Sequence, residues 1–364
     1  MLHVARRMIR SLLSHPDMPK VSLEGVKAFL CAALLHDTGH FPYTHSLKEL
    51  PLDEHEQLTG KIIVDQPVAG ILKEKLGIDP AMAAAIVDLN LDDQGIQEIA
   101  FFRRILSSPL DPDKLDYLNR DAYFCGVPYG IQDTDFVLSQ ILPNPAPGPF
   151  FGPGLLEGGI SALENLLFSK YLMYRAVYWH RSVRIATGMI KKALYLGLAN
   201  GSLQASELYG LDDDRFNALF EKKDDKVFKL ISAVQQRELF QTVIELPYKQ
   251  ELHAPLEDLE NRELMEQRIA SRLGQLTGQS IDTLQVLIDI PEAISFEVDL
   301  PVFTAKGWVP YCQSRSVFTA GVVKDFTQAL RLIRVALAPA TAALPGMPKK
   351  AEQAARELLS NGLD

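Results

Sequence analysis

Apolar residues recur at three- and four-residue steps through Val21–Leu35, Ile99–Leu106, Leu163–Leu198 and Phe216–Val234, the period of amphipathic helices. This pattern predicts a mainly helical region from Leu2 to about Val234. It breaks at Pro143–Gly159, PNPAPGPFFGPGLLEGG, where proline and glycine are too dense for a helix or a central strand. That stretch reads as a surface loop placed to border a pocket. Beyond residue 237 the texture changes: Phe240–Leu246, Leu284–Ile290, Ser295–Thr304 and Val309–Phe318 read as strands, and Glu257–Leu276 and Val322–Leu337 as helices. The alanine- and proline-rich APATAALPGMPKK and the short amphipathic tail after it read as a loosely docked appendage. The expected fold is mainly α, with a helical domain over residues 1–236 and a smaller C-terminal α+β domain over 237–364.

Composition narrows this picture only a little. With 364 residues and 47% hydrophobic content, the chain can build one large or two ordinary domains around a sizeable core. Cys31, Cys125 and Cys312 lie far apart and form no CxxC pair, which argues against a disulfide framework or a cysteine zinc site and for a reducing cytoplasm. A net charge of −9 gives no global sign of a nucleic-acid partner, but it leaves room for a local basic pocket that takes a small phosphate ligand. Arg6, Arg7 and Arg10 are followed by no apolar signal region, and the run from Ala28 to Leu35 is too short to span a bilayer. Neither an export signal nor a membrane helix is expected.

The chemistry concentrates in LLHDTGHFPYTHSL, residues 34–47, which holds three of the chain's 8 histidines. The apolar run Val26–Leu35 ends at His36-Asp37-Thr38-Gly39, where Gly39 suits the left-handed residue that stops a helix. Imidazole beside carboxylate suits Mn, Fe, Ni, Zn or Mg better than a thiolate-selected metal. His40, His45 and, in DEHEQ, His55 can each pass a proton or meet a phosphoryl oxygen. In a second cluster, residues 107–126, Asp111 is placed as N-cap and Pro112 as first helical residue. Asp113, Tyr117 and Arg120 then fall at i, i+4, i+7, and Lys114, Tyr117 and Asp121 at i, i+3, i+7, a spacing that serves a polar pocket or a solvated helix face. A third cluster spaces Tyr171, Tyr174, Tyr178 and Arg181 at i, i+3, i+7, i+10. This stripe can present rings to a base or sugar and a guanidinium to phosphate, or pack in a core.

In order, HDTGHFPYTH, EHEQ, DPDKLDYLNRD and ISALENLLFSKYLMYRAVYWHR resemble the HD-domain metal-dependent phosphohydrolases, in particular the branch of deoxynucleoside triphosphate triphosphohydrolases and their uncharacterised bacterial relatives. The four-part match covers most of residues 1–190, and its combination of spacings is specific where an isolated His-Asp pair is not. The resemblance implies an HD-domain helical bundle and a divalent metal ion ligated by His36, Asp37 and Asp113. It places His40 and His55 in in-line attack or leaving-group protonation, and His45 on the phosphate side of the pocket. It gives Lys114 and Lys170 to phosphate, Tyr117 and Asp121 to the sugar, Tyr178 and Arg181 to the nucleotide, and it implies a homo-oligomer.

Two departures bear on these expectations. The family's remaining metal ligand is a histidine in a segment resembling R-F-E-H-S-L-G, whereas this chain begins Met1-Leu2-His3-Val4-Ala5. His3 aligns six residues past that ligand, roughly 120° away around a helix. An incomplete metal site is therefore expected in this chain, with the natural protein extending upstream of Met1. Lys48 stands where the characterised triphosphohydrolases tend to carry an acid. The expected function is a metal-dependent phosphohydrolase acting on a nucleotide, a deoxynucleoside triphosphate being the best match. The alternatives are a phosphomonoesterase or phosphodiesterase of the same superfamily and a nucleotide-sensing regulatory protein with an incomplete metal site.

Overall fold

In the computed structural model, which describes residues 1–144, 146, 148, 151–294, 296 and 300–362, the run expected over Val21–Leu35 forms the helix Leu23–Leu35. Ser22 opens it, its hydroxyl accepting the Gly25 N–H at 2.8 Å and satisfying one of the orphan donors of the first turn. The chain divides into two units, the first made of Met1–His40, Asp53–Met173 and Phe296–Lys324, the second of Phe41–Leu52, Tyr174–Ser295 and Asp325–Asp364.

The first unit is built on helices. Leu23–Leu35 packs against Pro80–Val87 and Gln97–Leu106, and Phe29 stacks on Phe102 with ring centroids 5.1 Å apart. Pro80–Val87 also receives the helix His55–Val64, so this wholly apolar segment ties the two histidine-bearing stretches to one core. The Pro143–Gly159 stretch is not simply a loop. It contributes strands Ile141–Asn144 and Gly152–Leu156, paired antiparallel, and the second runs parallel to Pro301–Thr304, which pairs with Gly307–Pro310. Pro143 sits opposite Pro153, which confines the missing N–H donors to one rung. At Gly154 a Cβ would lie 2.3 Å from the Trp308 ring, so glycine is there to let the indole lie on the strand. The expected strand Val309–Phe318 is shorter, ending at Pro310 before a 3-10 turn over Tyr311–Gln313. Among the described residues of the expected strand Ser295–Thr304, Pro301–Thr304 forms a strand, and residues 295 and 297–299 lie outside the described residues.

In the second unit, strands Gln241–Pro247, Leu332–Leu337 and Val286–Asp289 form an antiparallel sheet in that order. The expected helix Val322–Leu337 is thereby corrected: helix ends at Leu330, and Leu332–Leu337 is the central strand. A strand buried on both faces shows no apolar-polar alternation, so its sequence carries no period to read. The tail is corrected too. Met347, Ala351, Ala354, Ala355 and Leu359 fall at helical spacing on Met347–Asn361, are essentially inaccessible, and join Leu256, Ile269, Leu273 and Val335 in one core. The same unit buries charge in pairs. Lys192 donates to Glu266 at 2.6 Å and to the carbonyls of Thr283 and Val286, while Glu266 accepts the Ile288 N–H, so each ion has the partners that burial demands.

The protein is therefore mainly α with a smaller α+β part. Among the described residues no helix is long and apolar enough to cross a membrane.

Candidate metal centre

The helix Leu23–Leu35 delivers His36 at its end, and Asp37 follows in the turn 36–39. The helix Pro112–Cys125 delivers Asp113 at its start, as the sequence leads one to expect: Asp111 caps it by accepting the Lys114 N–H, Pro112 occupies the first position, and Gly126 closes it at φ 66°. The three side chains converge. His36 Nε2 is 3.3 Å from Asp37 Oδ1 and 3.5 Å from Asp113 Oδ1, and one donor atom from each residue lies within 4.8 Å of the others.

The chemistry of His36 fits a metal ligand. Its Nδ1 is 3.1 Å from the Ala33 carbonyl oxygen, an acceptor only, so in the neutral ring Nδ1 carries the proton and Nε2 offers the lone pair. That Nε2 is buried and has no hydrogen-bond partner, although it faces two carboxylates. A ligand nitrogen whose ring is oriented by a backbone carbonyl, beside two oxygen donors, is the set a divalent ion takes. Partial burial favours the neutral ring, yet Asp113 and Asp37 outweigh it and raise the His36 pKa above the ordinary imidazole range. Burial by itself would raise the Asp113 pKa; His36 and Lys114 outweigh it and hold it below the usual carboxylate range.

His40 and His55 stack, ring centroids 4.2 Å apart and planes 14° off parallel. His40 Nδ1 lies 3.1 Å from the Asp37 carbonyl oxygen, so the ring leans on the same turn that carries the triad. His55 is buried at the first position of the helix His55–Val64, with Nδ1 3.1 Å from Glu56 Oε2. Gly39 is corrected here. It does not take a left-handed φ. Its requirement is steric, since a Cβ would sit 2.2 Å from the His55 carbonyl oxygen and 2.5 Å from the Thr59 nitrogen.

Lys114 pairs with Asp111 and lies next to the triad in sequence. Lys170, on the helix Ile160–Met173, has its pKa lowered to about 8 by burial and then by the like charge of Lys114, against the pull of Asp111. Its ammonium lies 5.4 Å from the Phe296 ring centroid. Tyr117 is half-buried one turn beyond Asp113. Asp121 pairs with Arg120 at 3.5 Å and lies about 12 Å along the helix axis from Asp113 at 1.5 Å per residue, too far to join the triad.

The remaining three expected residues fall in the second unit. His45 is exposed in the 3-10 turn Thr44–Ser46. Tyr178 ends a π-helical turn, Tyr174–Tyr178, edge-on to Tyr174 at 5.2 Å. Arg181 is exposed at the start of a new helix, Arg181–Ala199, capped by His180. The stripe of Tyr171, Tyr174, Tyr178 and Arg181 is thus not one helical face, because the π turn and the cap shift its phase. The residue that sequence reasoning misses is Thr59, fully buried behind the turn 36–39. Its only sequence signal is a position one helical turn after His55.

Residues 154–308 match the family described as HD associated region. An uncharacterized protein of Methanocaldococcus jannaschii is 31% identical over 220 residues, 60% of this chain and 44% of that protein. The deoxynucleoside triphosphate triphosphohydrolase SAMHD1 homolog of Dictyostelium discoideum is 23% identical over 273 residues, 67% of this chain and 49% of that protein. The crystal structure of a phosphohydrolase from Bacteroides thetaiotaomicron superposes with a TM-score of 0.66 at 17% identity, covering 92% of this chain and 85% of that one, which is a likeness of fold. The matches span less than half the length of the curated relatives. Fold, HD-associated region and relatives together bear out the resemblance to HD-domain phosphohydrolases and their uncharacterised relatives.

Proposed function

We propose that the protein is a metal-dependent phosphohydrolase acting on a nucleotide, with a deoxynucleoside triphosphate as substrate. The observation that carries the reading is the buried, unpartnered Nε2 of His36 facing Asp37 and Asp113, with Nδ1 committed to Ala33. A divalent ion, when held by these three residues, supplies Lewis-acid charge to the phosphoryl group. The stacked His40 and His55 hold and move the proton that hydrolysis requires, and Lys114 and Lys170 meet the anionic phosphates. The choice of a deoxynucleoside triphosphate is supported by the name of the Dictyostelium relative. His45, Tyr178 and Arg181 are assigned to phosphate and nucleotide, Tyr117 and Asp121 to sugar, on the motif resemblance alone.

The test incubates the protein with Mn, Fe, Ni, Zn or Mg and each deoxynucleoside triphosphate, nucleoside monophosphate and cyclic nucleotide, and identifies the phosphorus product. Turnover of a deoxynucleoside triphosphate is the expected result. Turnover confined to monophosphates or cyclic nucleotides moves the assignment to a phosphomonoesterase or phosphodiesterase, and nucleotide binding without turnover moves it to a sensor.

Lys170 gives this reading a pH signature. An ammonium titrating at about 8 is charged below that pH and neutral above it, so KM for an anionic substrate should climb as pH rises through 8. Lys170→Gln should raise KM at pH 7 and flatten the climb. A wild-type KM that stays level from pH 7 to 9 contradicts the role.

A further inference from the structure

We infer that Thr59 is the positioning residue that sets the metal triad against the stacked histidine pair, an inference that rests on the metal-centre reading above. Thr59 is fully buried. Its hydroxyl donates to the His36 carbonyl oxygen at 2.9 Å and accepts the Gly39 N–H at 2.9 Å. One side-chain oxygen therefore closes both ends of the turn that carries His36 and Asp37. The His36 carbonyl belongs to the last turn of a helix, where carbonyls have no partner within the helix, so the threonine supplies what the backbone cannot.

Thr59 and His55 stand four residues apart on one helix, on the same face. His55 stacks on His40, and the Thr59 hydroxyl holds residues 36 and 39. The missing side chain at Gly39 lets the turn press against this helix, where a Cβ would overlap the His55 carbonyl. A single rigid helix thus fixes the ring of His55 and, through Thr59, the backbone that aims His36 and Asp37. The valine at this position would keep the shape and lose both hydrogen bonds; serine would keep both.

The test compares wild type with Thr59→Val and Thr59→Ser, and uses Thr59→Ala should the valine variant fail to unfold cooperatively. Mn²⁺ affinity is measured by titration calorimetry without substrate, then kcat and KM at saturating Mn²⁺. Thr59→Val is expected to bind Mn²⁺ about 10- to 100-fold more weakly, the range for loss of a group that orients a ligand. Its kcat is expected to fall at saturating metal with KM little changed, and Thr59→Ser to restore both. A folded Thr59→Val or Thr59→Ala with Mn²⁺ affinity and kcat within twofold of wild type overturns the inference, as does a serine variant no better than valine. If wild type binds Mn²⁺ but turns over no nucleotide, the proposed function fails and the affinity series still decides the role of Thr59.

Discussion

His36→Ala should remove hydrolysis almost entirely, lowering kcat/KM by at least about 1,000-fold. Lewis-acid stabilisation of a phosphoryl group contributes several kcal/mol, and each 1.4 kcal/mol or so is a factor of ten in rate. The substitution deletes the one buried nitrogen that faces both carboxylates without a hydrogen bond. Asp113→Asn is the companion, because it keeps the side-chain shape and removes the charge that lies 3.5 Å from His36 Nε2. Calorimetric titration with Mn²⁺ should detect no binding in either variant at concentrations that saturate wild type. Circular dichroism should be unchanged, since His36 and Asp113 lie at a helix end and a helix start and are only partly buried. Retention of wild-type turnover by His36→Ala would remove the basis for metal-dependent chemistry at this site.

The second large effect separates proton transfer from metal binding. His40→Ala and His55→Ala should each lower kcat by about 100- to 10,000-fold, the usual contribution of a general acid or base. Both should still bind Mn²⁺. Imidazole suits the task because one ring nitrogen can give a proton while the other accepts one. His55 is buried against His40, so His55→Gln accompanies the alanine variant to limit the loss of packing. A variant with full metal affinity and full turnover would release that histidine from the mechanism.

The helix end that carries His36 and the helix start that carries Asp113 were legible in the sequence because each is local, whereas grouping His36, Asp37 and Asp113 as one ligand set came from the family resemblance. An apolar run that ends at His36-Asp37, and Asp111-Pro112 opening a helix at Asp113, are short-range patterns with mechanical meanings. What required the structure was whatever depended on distant packing. Gly39 looked like a helix stop, but its constraint comes from a helix that begins sixteen residues later, and Thr59 is visible only once that helix is in place. The tyrosine spacing suggested one stripe because a π turn and a new cap leave little trace in the periodicity. The strand Leu332–Leu337 and the docked helix Met347–Asn361 were misread for a related reason. One is a central strand without alternation, and the other reads as amphipathic but packs against partners from distant parts of the chain, which its own spacing does not name.

The proposed hydrolysis requires His36, Asp37 and Asp113 to hold a single divalent ion. Anomalous diffraction from crystals soaked in Mn²⁺ should show one strong peak bonded to His36 Nε2 and to carboxylate oxygens of Asp37 and Asp113. A peak bonded to other residues, or none at saturating Mn²⁺, would contradict it.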